Sequence, residues 1–366
     1  MKEGRLKSLD ALRGFDMLFI CGLSELIVKI CALCGSPKGW LATQMRHVSW
    51  DGFAHHDTIF PLFLFIAGVT FPFSLAKQRA DGRNTAAIWL KTLRRGVVLV
   101  LLGMIYNGLL KFDFEHVRIF SVLGRIGLAW MLAAWIWMFF GMRSRIVWVV
   151  VVLLGAGALS AYCVAPDFPD AAAFSMKGNI ACWIDRTYFP KHIYSKLYDP
   201  EGLLCTVPAI ATALLGMFAG AFIRWEREGL TGNKKTLCLF ASAAVLGIVA
   251  FAWGRVLPIN KSLWSSTFVL AAGSYSVAML ALFYWITDVK CWKGGMFFFE
   301  VVGLNSITIY MAKKLIDFDR ANKFLFGGVA SLFPDKASGV VLAVGYIAVV
   351  WLFLYFLHRH KVYLKV

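Results

Sequence analysis

Residues 340–357 read Val-Val-Leu-Ala-Val-Gly-Tyr-Ile-Ala-Val-Val-Trp-Leu-Phe-Leu-Tyr-Phe-Leu, without one charged side chain. A segment of about 20 apolar residues crosses a hydrocarbon core about 30 Å thick, and this run with its flanks reaches that length. No water is available there to satisfy peptide groups, so such a run is expected to be helical. Comparable blocks include Pro61–Val69, Val97–Leu102 and Val147–Leu154. They are continuous rather than alternating, which argues against a β-barrel.

Working outward from that segment, the hydrophobic pattern predicts an all-α, polytopic membrane helix bundle of about ten spans. They fall near 14–34, 58–76, 96–112, 121–140, 146–165, 203–223, 236–254, 264–286, 296–315 and 338–358. The composition agrees. The chain of 366 residues is 59% hydrophobic and 16% charged, where a soluble domain carries about 25% charged residues. The formal charge of +17 does not indicate nucleic acid, because the basic residues lie between apolar blocks and read as topology signals. One set of connecting segments holds Lys2, Arg5, Lys7, Arg13, Lys77, Arg79, Arg83, Lys91, Arg94 and Arg95. It continues through Arg143, Arg145, Arg224, Arg227, Lys234, Lys235, Lys290, Lys293, Arg359, Lys361 and Lys365. That set is expected to face the cytoplasm, giving an inner-membrane protein with both termini inside. A single transmembrane domain is expected over 1–366, with no tandem repeat and no evident cleavable signal peptide. Cys31 and Cys34 have CxxC spacing outside any βαβ context and read as packing residues, whereas Cys182 could pair with a partner that spacing does not name.

Ionisable and amide groups within or beside spans are candidate functional groups. Arg13 and Asp16 share a helix face at i,i+3, as an interfacial ion pair or with Arg13 turned to an anionic cofactor. Glu25 and Lys29 read as a second intrahelical pair. His47 is followed by Asp57. An imidazole can move a proton or attack a thioester, and a carboxylate on its other ring nitrogen would fix the tautomer. Ordinary interfacial placement of His47 is the alternative. His47, His55, His56 and Asp57 lack a defined ligand spacing, and no metal is expected. Arg118 can snorkel to the outer surface. Arg125 lies about two turns deeper and should face the interior against an anionic partner. Tyr198-Asp199-Pro200-Glu201-Gly202 is either a turn with acids in the first helical turn or a carboxylate pair for a cationic or polyhydroxy acceptor. Asn305, inside the ninth predicted span, either bonds between helices or holds a ligand carbonyl. Lys313 and Lys314 are expected to snorkel. The loops Gly35–His56 and Asp167–Gly202 are long enough to be functional.

Five stretches occur together in order. They are Ser8–Gly14 (Ser-Leu-Asp-Ala-Leu-Arg-Gly), His47–Gly52 with Asp57–Pro61, and Val117–Ile119 with Leu123–Gly127. Asp199–Gly202 and Gly303–Ser306 complete the set. On these the chain resembles the bacterial relatives of heparan-α-glucosaminide N-acetyltransferase, within the transmembrane acyltransferase superfamily. The resemblance implies acetyl-CoA approaching from the cytoplasm and an acetyl group delivered to a glucosamine amine on the far side. It places the active-site histidine at His47 and its acid at Asp57. Arg83, Arg94 and Arg95 then become plausible phosphate partners, together with Arg13.

The sequence departs from the human-type pattern at three places. An upstream Asn is missing where Ser36, Pro37 and Lys38 stand, Gly124 replaces a Gln, and Lys313 replaces a His. The acceptor can therefore differ from terminal heparan glucosamine. The expected activity is an acetyl-CoA-dependent transferase with His47 as nucleophile or base and Asp57 as its orienting acid. Arg125 or Asn305 would stabilise the oxyanion, and Arg118, Asp199 and Glu201 would face the sugar, near the periplasmic side. O-acetylation of an envelope glycan and transport of a sugar or muropeptide are the alternatives. The lipid bilayer, coenzyme A and an amino sugar are the expected partners, with a homo-oligomer left open.

Overall fold

The computed structural model describes residues 6–292 and 294–364, so Lys2, Arg5, Lys293 and Lys365 of the basic set lie outside it. Among the described residues the chain is helical with no strand, and two isolated bridges join Asp51 to Asn260 and Val164 to Asn179. In chain order the helices are α1 (Lys7–Leu18), α2 (Ser24–Leu33), α3 (Trp40–Gln44), α4 (Ile59–Ala80), α5 (Thr85–Tyr106), α6 (Val122–Phe139), α7 (Met142–Tyr162) and α8 (Ile180–Tyr188). There follow α9 (Thr206–Arg224), α10 (Gly232–Trp253), α11 (Ser266–Tyr284), α12 (Met296–Leu304), α13 (Ser306–Leu315), α14 (Phe318–Ala330) and α15 (Asp335–Arg359). Seven of them, α4, α6, α7, α9, α10, α11 and α15, are long and apolar enough to cross a membrane.

The other three predicted spans are also helical, and each departs from a plain apolar rod. The first is interrupted between α1 and α2, where Gly22 sits at φ 118°. That conformation suits glycine because it has no Cβ to clash. The Ile20 carbonyl at this break accepts from Lys313 Nζ at 2.6 Å, so Lys313 turns inward instead of snorkelling. The cause is a backbone acceptor at the helix break that needs a donor. The second, α5, carries Lys91, Arg94 and Arg95 within its length. The third is broken at Asn305 (φ −117°, ψ 24°), which separates α12 from α13.

The chain divides into two compact units. The first comprises the described residues up to Ser49, Ala54–Ile59, and those from Met279 onwards. Here α1 and α12 pack backbone to backbone. A Cβ on Gly14 would lie 1.8 Å from the Phe299 carbonyl oxygen, and one on Gly303 would lie 2.0 Å from that of Asp10. Small residues allow this approach in membrane helices. Gly303→Ala is expected to force the pair apart at a cost of about 1–3 kcal/mol, read as a lowered melting temperature of the purified protein. An unchanged melting temperature would contradict the packing.

The second unit comprises Trp50–Phe53 and Phe60–Ala278. At its centre α4 and α9 have 67% and 72% of their apolar windows buried, while α7 and α10 have only 17% and 22%. The α4–α9 seam again uses glycine: Gly68 meets the Ala213 carbonyl, Gly216 that of Phe65 and Gly220 that of Val69. Phe65, Leu214, Met217 and Phe268 are fully buried nearby. Within this unit Trp50 Nε1 donates to the Phe174 carbonyl at 2.8 Å, and Asn260 Nδ2 donates to Asp51 Oδ1 at 3.0 Å.

Candidate functional site

In the first unit the segment before α4 folds into a tight turn around one carboxylate. The Asp57 N–H donates to the Ala54 carbonyl at 3.0 Å, and the Ala54 N–H returns to Asp57 Oδ2 at 3.3 Å. The Val48 N–H reaches the same oxygen at 3.4 Å. Asp57 Oδ1 lies 2.7 Å from His47 Nδ1. The carboxylate is fully buried, whereas the His47 side chain is 48% exposed. The acid is thus held by backbone donors and the imidazole is presented from it. With Nδ1–H donated to Asp57, the basic lone pair belongs to Nε2, the tautomer a proton acceptor or nucleophile requires.

Neighbouring residues hold this turn. The His56 ring lies 4.4 Å from the His47 ring, and His56 Nδ1 meets Ser24 Oγ at 3.0 Å. The His55 N–H donates to Gln44 Oε1 at 2.9 Å, and the His55 ring packs 4.4 Å from Phe19. Supports thus come from the starts of α2 and the end of α3. Asn305, in the same unit, is buried at the α12–α13 break. Its Oδ1 accepts from Thr308 Oγ1 at 3.3 Å, and its buried Nδ2 has no partner among the described residues. A buried amide donor without an acceptor is costly, and such a group calls for a functional or solvent partner.

Arg13 is also in this unit but does not pair with Asp16. Its Nη1 meets Asp10 Oδ1 at 3.4 Å. Asp10 lies in the first turn, where a carboxylate also satisfies the helix dipole, while Asp16 is buried deeper. The Glu25–Lys29 pair forms as expected, at 3.4 Å.

The second unit assembles a different polar group. Arg118 Nε and Nη2 donate to Asp199 Oδ2 and Oδ1 at 2.8 and 2.6 Å, and Nη2 also meets Glu201 Oε2. The Tyr194 and Glu201 N–H groups donate to the same Asp199 carboxylate at 2.7 and 2.8 Å. Asp199 has no exposed side-chain surface, whereas Glu201 keeps 12%. Burial works against the Arg118 charge, but the hydrogen bond to Asp199 and the charges of Glu201 and Asp199 outweigh it and raise its pKa above the ordinary value. Arg118 therefore clamps the turn instead of snorkelling.

Arg125 faces the interior as expected, but its polar partner is neutral: Nη2 donates to the Pro200 carbonyl. The guanidinium lies 4.5 Å over the Trp264 ring, and its buried Nε has no partner among the described residues. Arg118 occupies the nearby carboxylates, which leaves Arg125 the carbonyl between them. Of the other basic candidates in this unit, Arg83 and Arg94 are exposed. Arg95 is turned inward, 4.3 Å over Trp130.

Asp185 lies outside every motif of the sequence. It lies on α8 beside Ala181 and Cys182, which are buried with it, and an acid on that buried helical face was the available signal. Its Oδ1 accepts from the Leu203 N–H at 3.0 Å, and its Oδ2 is buried without a partner among the described residues. Burial raises its pKa from 3.8 to about 7, with the Asp199 charge adding to the rise. The unfolded value is near 3.9. The stability this group contributes is therefore complete below about pH 4 and is lost as pH rises through about 7. Between pH 5 and pH 8 the loss is about 3 kcal/mol. Thermal unfolding across that range is expected to show the fall in wild type and to lack this contribution in Asp185→Asn. Equal slopes in the two proteins would contradict it.

No family model matches the chain. It is 26% identical to human heparan-alpha-glucosaminide N-acetyltransferase over 420 residues, which covers 99% of this chain and 60% of the human protein. It is also 26% identical to the mouse protein of the same name over 369 residues, covering 86% of this chain and 54% of the mouse protein. The chain is a distant homologue of these proteins and spans a little over half of their length.

Proposed function

We propose that this protein is a ten-span inner-membrane acetyltransferase with both termini in the cytoplasm, moving an acetyl group from acetyl-CoA to the amine of a glucosamine-type sugar. The observation that carries the reading is the buried Asp57 carboxylate 2.7 Å from Nδ1 of a half-exposed His47. This pair sits in the stretch on which the chain resembles the acetyltransferase family. The similarity to two curated N-acetyltransferases supports the same reaction class.

His47 has two chemically balanced routes. As nucleophile, Nε2 attacks the thioester carbonyl, the C–S bond breaks, and the coenzyme thiolate leaves and takes up a proton. The sugar amine then attacks the acetyl-imidazole, the acyl–Nε2 bond breaks, and the amine gives up its proton. As general base, Nε2 takes the amine proton while the amine attacks the thioester carbonyl directly; the C–S bond then breaks, and the coenzyme thiolate leaves and takes up the proton that Nε2 returns. In both routes Asp57 holds the tautomer and stabilises the imidazolium that develops. The buried Asn305 amide is proposed as an oxyanion donor in the same unit, a role typically worth roughly 2.7–4 kcal/mol of barrier.

Arg125 is proposed to act on developing charge through its buried guanidinium. Arg118, Asp199 and Glu201 are proposed to recognise the acceptor sugar, with Glu201 offering the exposed carboxylate surface of the two acids. Arg83 and Arg94 present exposed guanidiniums suited to coenzyme A phosphates. Arg13 and Arg95 are proposed as supporting charges of the donor site.

Protein reconstituted in vesicles, supplied with labelled acetyl-CoA on the Arg83 side and glucosamine on the other, should yield N-acetylglucosamine. Label appearing as an ester would identify a hydroxyl acceptor. No transfer to any amino sugar or glycan, with coenzyme A failing to bind, would overturn the reading.

A further inference from the structure

A cleft of about 1480 Å³ lies wholly within the second unit, along α4, α7, α9 and α10. One end of it gathers three arginines from three helix termini. Arg79 is in the last turn of α4, Arg224 is the last residue of α9, and Arg145 is in the first turn of α7. None of the three is in an ion pair among the described residues. Arg145 lies 4.1 Å over Trp137 and donates from Nη2 to the Trp137 carbonyl, while its buried Nε has no partner among the described residues. Arg79 and Arg145 repel each other. The remaining charge lining the cleft is Glu226, whose field acts on Lys235.

Beyond this basic end the walls are apolar, formed by residues such as Leu75, Phe218, Phe222 and Val245. The flanking helices α7 and α10 expose apolar side chains along their length, including Val147, Val151, Leu154, Ile248 and Phe251. A helix face of that composition suits contact with lipid.

We propose that this cleft binds an anionic phospholipid, with its phosphate against Arg79, Arg145 and Arg224 and an acyl chain along the α4, α9 and α10 walls. Guanidiniums kept together without carboxylate partners are matched by an anion, and phosphate suits their fork geometry. The apolar walls select the rest of the ligand. The pantetheine arm of coenzyme A carries amides that need partners, and burying them unpaired is costly. The wall hydroxyl of Ser242 already donates to the Cys238 carbonyl at 2.8 Å. A hydrocarbon chain makes no such demand.

Purified full-length protein should be tested by native mass spectrometry during stepwise detergent delipidation, with phosphatidylglycerol and phosphatidylcholine offered at equal concentration. Wild type is expected to retain phosphatidylglycerol selectively. Losing about 1 kcal/mol per basic residue, R79Q/R145Q/R224Q should retain it about 100-fold more weakly. R79Q/R224Q, which spares the Trp137 stack and so guards against misfolding, should retain it about 30-fold more weakly. R255Q, outside the cleft, should behave as wild type. Equal retention of the two lipids by wild type would overturn the proposal, as would unchanged retention by the folded double variant. Displacement of phosphatidylglycerol by coenzyme A through the same arginines would instead assign the cleft to the acyl donor.

Discussion

His47→Ala is expected to lower acetyl transfer by about 10³-fold or more while the protein remains folded, because the proposed chemistry passes through Nε2. The buried Asp57 carboxylate keeps its Val48 and Ala54 N–H donors in the variant, so the turn retains its frame. Asp57→Asn preserves the shape of the turn but removes the charge that favours the required tautomer, and should cost about 10²-fold or more. Rapid-quench mass spectrometry separates the two routes. An acetyl group on His47 that forms with acetyl-CoA alone and disappears on adding acceptor marks the nucleophile. Its absence, with acceptor-dependent release of coenzyme A, marks the general base. Full activity in a folded His47→Ala preparation would remove the imidazole from the mechanism altogether.

Arg118→Met should be among the most destabilising single substitutions in the second unit, at about 3–5 kcal/mol, because it strands the Asp199 carboxylate in the interior. Asp199 also receives the Tyr194 and Glu201 N–H groups, so losing its counter-charge loosens the turn that leads into α9. Arg118→Lys should rescue little, since one ammonium cannot reproduce the fork that meets both oxygens of Asp199 and reaches Glu201. Removing Asp199 as well, in Arg118→Met/Asp199→Leu, should cost less than Arg118→Met alone, because the fully buried charge goes with it and only the partly exposed Glu201 carboxylate is left. Thermal and denaturant unfolding of the three variants tests this. If Arg118→Met unfolds within about 0.5 kcal/mol of wild type, the range of an ordinary surface substitution, the cluster does not hold the turn.

The contrast between these two sites shows what kind of information each needed. His47 and Asp57 are ten residues apart, and their pairing is closed within one local turn. A sequence motif can announce such a pair because the intervening backbone brings it together. Arg118 meets Asp199 across 81 residues, and Arg125 meets Pro200 across 75. Each was recognisable as a charged or turn residue beside an apolar run, but its partner depended on how two distant loops fold together. Asp185 escaped notice because its isolation depends on burial, and neither its Leu203 donor nor its closeness to Gly202 is encoded near it in the chain.

The sequence by itself determined that this is a helical membrane chain, where its apolar segments lie, and that His47 with Asp57 is the pair to test. Those properties reside in short windows, because hydrophobicity and a tight turn are summed over neighbouring residues. The tertiary structure decided the Arg13–Asp10 pairing, the inward turn of Lys313, the breaks at Gly22 and Asn305, and the carbonyl partner of Arg125. These follow from which backbones approach each other. In both units that choice is made where glycines such as Gly303 and Gly216 let one helix touch another.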